Sequence, residues 1–202
     1  MIDPYNITRF GQTQEELEEA LVFWIMVAGK KASTIAKRLD ALQETLGRPK
    51  SLFAALAMAE NLPALLREHG FGCYNQKAPA LRALYGLRLN LATCSLEQLE
   101  AIPYVGRKTS RCFLLHSRPN QPYAGLDIHV LRWMRRQGYT GVPGTTPTDP
   151  RRYAQVEQIF LKLAKEKNKT PAELDLAIWR LGEAKPKSKS KATKKPRLRG
   201  AA

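Results

Sequence analysis

The chain has 202 residues, room for one compact domain or two small helical lobes, and an ordinary apolar share of 44%. Thirty-three lysines and arginines against 18 acids give a net charge of +15, which makes a polyanion the default partner. No apolar run reaches the length of a membrane span, no signal-peptide pattern opens the chain, and Cys73, Cys94 and Cys112 have neither zinc nor iron–sulfur spacing. Free thiols in a reducing cytoplasm are expected.

Nearly every segment reads as helix. Thr13 and Glu16 form a capping box, after which Leu17, Leu21, Trp24, Ile25 and Ala28 keep helical spacing until Gly29. Ile35, Leu39, Leu42 and Leu46 share a face of a second helix that stops at Gly47. Ser51 caps a short helix to residue 59, and Asn61 caps another that ends at Gly70. Residues 71–75 read as a loop and 76–85 as a helix. Ser95 with Gln98 is a second capping box, 103–106 is a tight turn, and 107–116 is the next helix. A Pro- and Asn-containing loop leads to Asp127, which opens a helix to residue 137. Asp149-Pro150 and Thr170-Pro171 each place a cap before a proline at the first helical position and start two last helices, ending near Gly182. The fold class is all-α, with a helix-hairpin-helix motif. From Lys185 to Arg199 six lysines and two arginines occur with no acid, a composition expected to be disordered and to add sequence-blind affinity for phosphates.

The turn at 103–106 joins two helices and points backbone N–H groups outward beside the positive end of the second helix, a combination that grips a phosphate without reading sequence. Gly106 permits close backbone approach and Arg107 adds charge. Lys108, on the first turn of that helix, is either a phosphate contact or an amine nucleophile able to form a Schiff base with a sugar carbon. Asp127 reads first as an N-cap; the same ionised carboxylate is suited to stabilise a positive sugar-like transition state.

Four strings in order resemble the helix-hairpin-helix DNA glycosylase superfamily, nearest its endonuclease III-like branch, across most of residues 14–183. Ile102-Pro-Tyr-Val-Gly-Arg-Lys-Thr109 resembles that family's hairpin, and Leu126-Asp-Ile-His-Val130 its aspartate segment. Gly72-Cys-Tyr-Asn-Gln-Lys-Ala78 resembles its loop that probes a flipped base's gap, and Leu176-Ala-Ile-Trp-Arg-Leu-Gly182 its last helix before the cluster loop. The chain departs from the pattern in three places. Tyr104 replaces the first hairpin glycine. Met26-Val-Ala-Gly-Lys-Lys31 replaces a Gln-containing wedge. The cysteine-ligated cluster loop is lacking. Val27-Ala-Gly-Lys30 and Phe113-Leu-Leu-His-Ser-Arg118 are similar to phage-borne members linked to modified thymine.

The resemblance implies a glycosylase with β-elimination (AP lyase) activity on a damaged or modified base, a pyrimidine by the branch it resembles. Lys108 would be the nucleophile and Asp127 the essential aspartate. DNA contacts are expected at Pro103, Tyr104, Val105, Gly106 and Arg107 of the hairpin, at Tyr74, Asn75 and Lys77 of the loop, and at Lys30 and His129. Arg111, Arg132, Arg135 and Arg136 either line the groove or form a solvated face, and Trp24, Trp133 and Trp179 read as core. The expected partner is duplex DNA with one base extruded, since a stacked base hides its glycosidic bond. A cytoplasmic monomer without an iron–sulfur cluster or catalytic metal is expected, with a monovalent cation at the hairpin as relatives have. The lobes are expected at 14–125 and at 126–183 with 1–13, the tail at 184–202. Two other readings stand beside this one: a base-processing enzyme of thymine hypermodification, and a non-catalytic hairpin module.

Overall fold

The computed structural model describes residues 2–183, and the basic tail at 184–202 lies outside the described residues. Among the described residues the regular structure is helical. The order is α1 (Gln14–Val27), α2 (Ala32–Thr45), α3 (Leu52–Met58), α4 (Leu62–Glu68), α5 (Tyr74–Leu87), α6 (Leu96–Glu100), α7 (Arg107–Ser117), α8 (Ile128–Arg136), α9 (Pro150–Glu166) and α10 (Pro171–Glu183). Both capping boxes form, with Thr13 and Ser95 each accepting from the third helical N–H while Glu16 and Gln98 reach back. The fifth helix starts two residues earlier than the sequence indicates. Cys73 adopts a left-handed conformation (φ 56°) that turns the chain directly into α5.

Two apolar cores organise these helices. The first centres on α1, whose residues 21–27 are buried all round, and α2, α3, α5 and α7 pack against it. The second gathers Ala124 and Leu126 from the segment before α8 and Leu131, Met134, Tyr153, Phe160 and Ile178 from α8, α9 and α10. Leu176 and Trp179 of α10 also pack against the first core, so α10 serves both. Residues 2–13 are likewise shared. Ile7 inserts into the first core rather than joining the second, while Arg180 of α10 donates to Tyr5 O (2.8 Å) and Asn6 Oδ1 (2.6 Å).

A buried ion network ties α7 to α9. Arg111 donates from Nε to Glu157 Oε1 (3.0 Å) and from Nη1 to Glu100, and its guanidinium lies over the Tyr153 ring at 4.7 Å. Burial pushes the Glu157 carboxyl up, opposed by the Ala124 N–H and the Arg111 charge. Removing Arg111 strands a buried carboxylate, so Arg111→Leu is expected to cost about 3 kcal/mol in urea unfolding. Adding Glu157→Gln is expected to recover part of that loss, because the orphaned charge goes while Ala124 keeps an acceptor. A double variant no more stable than the single one contradicts this account.

Candidate active site

The seam between the cores opens into a cleft of about 1110 Å³. Its walls are the end of α1 and the start of α2 (residues 27–32), Lys108 of α7, Asp127 with one face of α8, Thr146, and Ile178, Trp179, Leu181 and Gly182 of α10. Lys108 and Asp127 therefore open on the same space, although 19 positions apart in the chain.

Local structure explains each placement. In the hairpin, Val105 is buried in the first core and its N–H donates to Ile102 O (3.0 Å), which closes the turn. Tyr104 takes the left-handed backbone (φ 64°) at the position where the resembled family has glycine, and its side chain is 62% exposed. Gly106 caps α7 with an extended backbone and without a side-chain hydrogen bond, so the N–H groups of the first turn meet no side-chain acceptor from the cap. Lys108 is the second residue of that turn. Arg107 donates to Thr148 O (3.0 Å), bracing the hairpin against the loop before α9.

The segment that delivers Asp127 is pinned by side chains. Ala124 N donates to Glu157 (2.8 Å), Tyr153 Oη donates to Ala124 O (2.8 Å), Leu126 N donates to Tyr153 Oη (3.2 Å), and Thr146 Oγ1 donates to Leu126 O (2.7 Å). These bonds satisfy a buried backbone that lies in no helix or sheet. A side chain at Gly125 has no room, since a Cβ there would lie 2.4 Å from Cys112 Sγ. Asp127 Oδ1 then accepts from His129 N (2.8 Å) and Val130 N (2.9 Å), the cap of α8.

The other expected contacts divide. Lys30 and His129 line the cleft; Lys30 also crosses Gly72, where a Cβ would lie 2.9 Å from its Cε. Pro103 is exposed, Asn75 is exposed, and Tyr74 is half-buried against the first core. Lys77 is buried and turned elsewhere. Its Nζ donates to Met26 O (3.0 Å) at the end of α1, a helix with no basic residue in its last turn. Burial holds its amine below the usual lysine range. Arg111 is enclosed in the ion network, whereas Arg132 and Arg136 line the cleft beside Lys31. Trp24 is core, but Trp133 and Trp179 reach the cleft wall. Sequence reasoning placed those two tryptophans in the interior; the signal was their position on the helices that flank Asp127 and close the chain.

Capping and chemistry at Asp127 are separable. Asparagine caps as well as aspartate, so Asp127→Asn is expected to keep thermal stability within a few tenths of a kcal/mol, and Asp127→Ala to lose about 1 kcal/mol. Both are expected to lose base release by roughly a hundredfold or more, if the carboxylate's charge acts on the transition state. Full activity in Asp127→Asn would leave the residue only a cap.

No protein-family model matches the chain. Among solved structures, it is similar to the 8-oxoguanine DNA glycosylase of Thermotoga maritima, with 28% identity, a TM-score of 0.66, and coverage of 86% of this chain and 82% of that one. It is also similar to the 8-oxoguanine glycosylase/lyase of Methanocaldococcus jannaschii in complex with a 15mer DNA containing 8-oxoguanine (22% identity, TM-score 0.67, 87% and 84% covered). A further structure of the 8-oxoguanine DNA glycosylase from that organism gives 21% identity, a TM-score of 0.66, and 91% and 85% covered. The chain has the all-helical fold of the DNA glycosylases.

Proposed function

We propose that this protein is a DNA glycosylase with an associated lyase step, acting on a damaged or modified base through a Schiff base on Lys108. The observation that carries the reading is the shared cleft: an amine on a phosphate-gripping hairpin and a capping carboxylate open on one space large enough for an extruded nucleotide. The surrounding Lys30, Lys31, Arg132 and Arg136 supply positive charge for the flanking phosphates, and Trp133 and Trp179 offer aromatic faces for the base.

In this mechanism Nζ of Lys108 attacks the sugar C1′ as the glycosidic bond breaks. The base leaves with the bonding electron pair and takes a proton from solvent. Asp127, ionised, faces the positive charge that develops on the sugar. Ring opening gives a protonated imine; loss of a proton from C2′ then expels the 3′ phosphate and cuts the strand. A monovalent cation at the hairpin would be held by backbone carbonyls of the turn from Ile102 to Gly106 and would add positive charge against a phosphate.

For the base, the similar structures are enzymes of 8-oxoguanine, whereas the hairpin and aspartate strings resemble a branch whose substrates are pyrimidines. A panel of duplexes carrying 8-oxoguanine, an oxidised pyrimidine, a bulky 5-substituted thymine or an abasic site separates these under borohydride. The wild type is expected to become covalently linked to the abasic and to at least one damaged duplex. Lys108→Gln is expected to bind DNA within about threefold of wild type and to give no adduct. Equal trapping by Lys108→Gln removes the nucleophile assignment. Tight binding with neither trapping nor base release supports the hairpin module instead, and turnover confined to the substituted thymine supports hypermodification.

A further inference from the structure

We infer that Asp175, buried on α10 and held by His116, which Thr8 in turn holds, is a positioning residue that sets the charge balance of the Lys108–Asp127 pair. The inference rests on the reading of Lys108 as the nucleophile. Asp175 lies on α10 and is 3% exposed. Its Oδ2 is 3.1 Å from His116 Nε2, and His116 Nδ1 is 2.7 Å from Thr8 Oγ1. His116 is buried too, stacked on Trp24 with ring centroids 5.4 Å apart. His116 Nε2 pairs with Asp175 and its Nδ1 with the Thr8 hydroxyl, so the chain Thr8–His116–Asp175 favours the ionised carboxylate.

The other oxygen, Oδ1, is fully buried and accepts no hydrogen bond among the described residues. An unsatisfied buried carboxylate oxygen costs free energy and calls for a role. It lies beside Cys112 Sγ under the backbone of Gly125: a Cβ at Gly125 would meet both, at 3.4 Å and 2.4 Å. That backbone runs directly into Asp127. Around Asp175, His116 of α7 is hydrogen-bonded to Oδ2, Cys112 of α7 lies by Oδ1 one turn along from Lys108, the Gly125 backbone above them runs on to Asp127 at the start of α8, and His129 packs against Gly182 further along α10. Lys108 and Asp127 act on the carboxyl by their charges. From α9 Tyr153 approaches Cys112. Burial pushes the Cys112 thiol and the Tyr153 phenol up, so both stay neutral. The charges that remain to balance Asp175 are those of Lys108, Asp127 and His116. Burial raises the Asp175 carboxyl, against the His116 hydrogen bond and charge; Asp127 raises it further and Lys108 lowers it.

A negative charge fixed at that point favours positive charge at Nζ and at the protonated imine that follows. Asp175 therefore acts through Lys108, without touching the sugar. The test is the rate of borohydride-trappable adduct formation on an abasic duplex, under single turnover, from acid to alkaline pH. Asp175→Asn is expected to move the ascending limb to lower pH by about half a unit or more, because a neighbouring negative charge has gone. Its plateau is expected to fall roughly fivefold or more, because the cationic intermediate loses support. Thr8→Val, remote from the cleft, is expected to move the limb in the same direction by less and to keep the plateau within about twofold.

Melting temperature and DNA affinity separate this from a scaffold role, which lowers them and leaves the limb in place. Superimposable limbs for the wild type and both variants overturn the inference while leaving Lys108 as nucleophile. If Asp175→Asn does not fold, Thr8→Val alone decides: a moved limb supports the inference and an unmoved one overturns it. A wild type that forms no adduct at any pH overturns the Lys108 reading, and this inference with it.

Discussion

The site depends on one buried ion pair, Arg111 with Glu157. Arg111 sits one turn along α7 from Lys108, and Glu157 sits one turn along α9 from Tyr153. Glu157 and Tyr153 together hold the backbone of Ala124 and Leu126, which leads straight to Asp127. A single charge contact thus fixes the helix that carries the amine relative to the segment that carries the carboxylate. Apolar packing alone holds two helices together but tolerates small slides. Holding Lys108 and Asp127 across one cleft demands directional contacts, and the ion pair, the phenol and the Thr146 hydroxyl provide them.

Much of this architecture is legible in the sequence because its signals are local. The capping boxes at Thr13 and Ser95, the Asp-Pro and Thr-Pro helix starts, and the hairpin all lie within a few residues of the structure they specify. Lys108 and Asp127 share that property: each is marked by its own helix start. The long-range pairs are not legible. Arg111 finds Glu157 46 residues away, Lys77 finds Met26 51 residues away, and His116 finds Asp175 59 residues away. No periodicity encodes such partners; they follow from how the helices stack. Lys77 is the instructive case. The family resemblance implies a DNA contact at Lys77, but α5 turns it inward, where its amine meets the carbonyl end of α1.

The cations of the folded part have distinct duties. Arg111, Arg118 and Lys77 are turned inward onto carboxylates or carbonyl groups. Lys30, Lys31, Arg132 and Arg136 border the cleft. The hairpin itself contributes mostly backbone, with Val105 as its anchor and Tyr104 at its apex. Net charge read from composition merges these roles, and only their positions distinguish scaffold from docking surface.

The segment 2–13 reaches both cores: Ile7 enters the first, Thr8 and Arg9 bond to His116 at the end of α7, and Tyr5 and Asn6 receive Arg180 from α10. Tyr5 and Asn6 thus wait for a partner about 175 positions further along the chain. Closure of the molecule therefore waits for α10, and a nascent chain halted before α10 would carry an undocked segment 2–13 and an open second core.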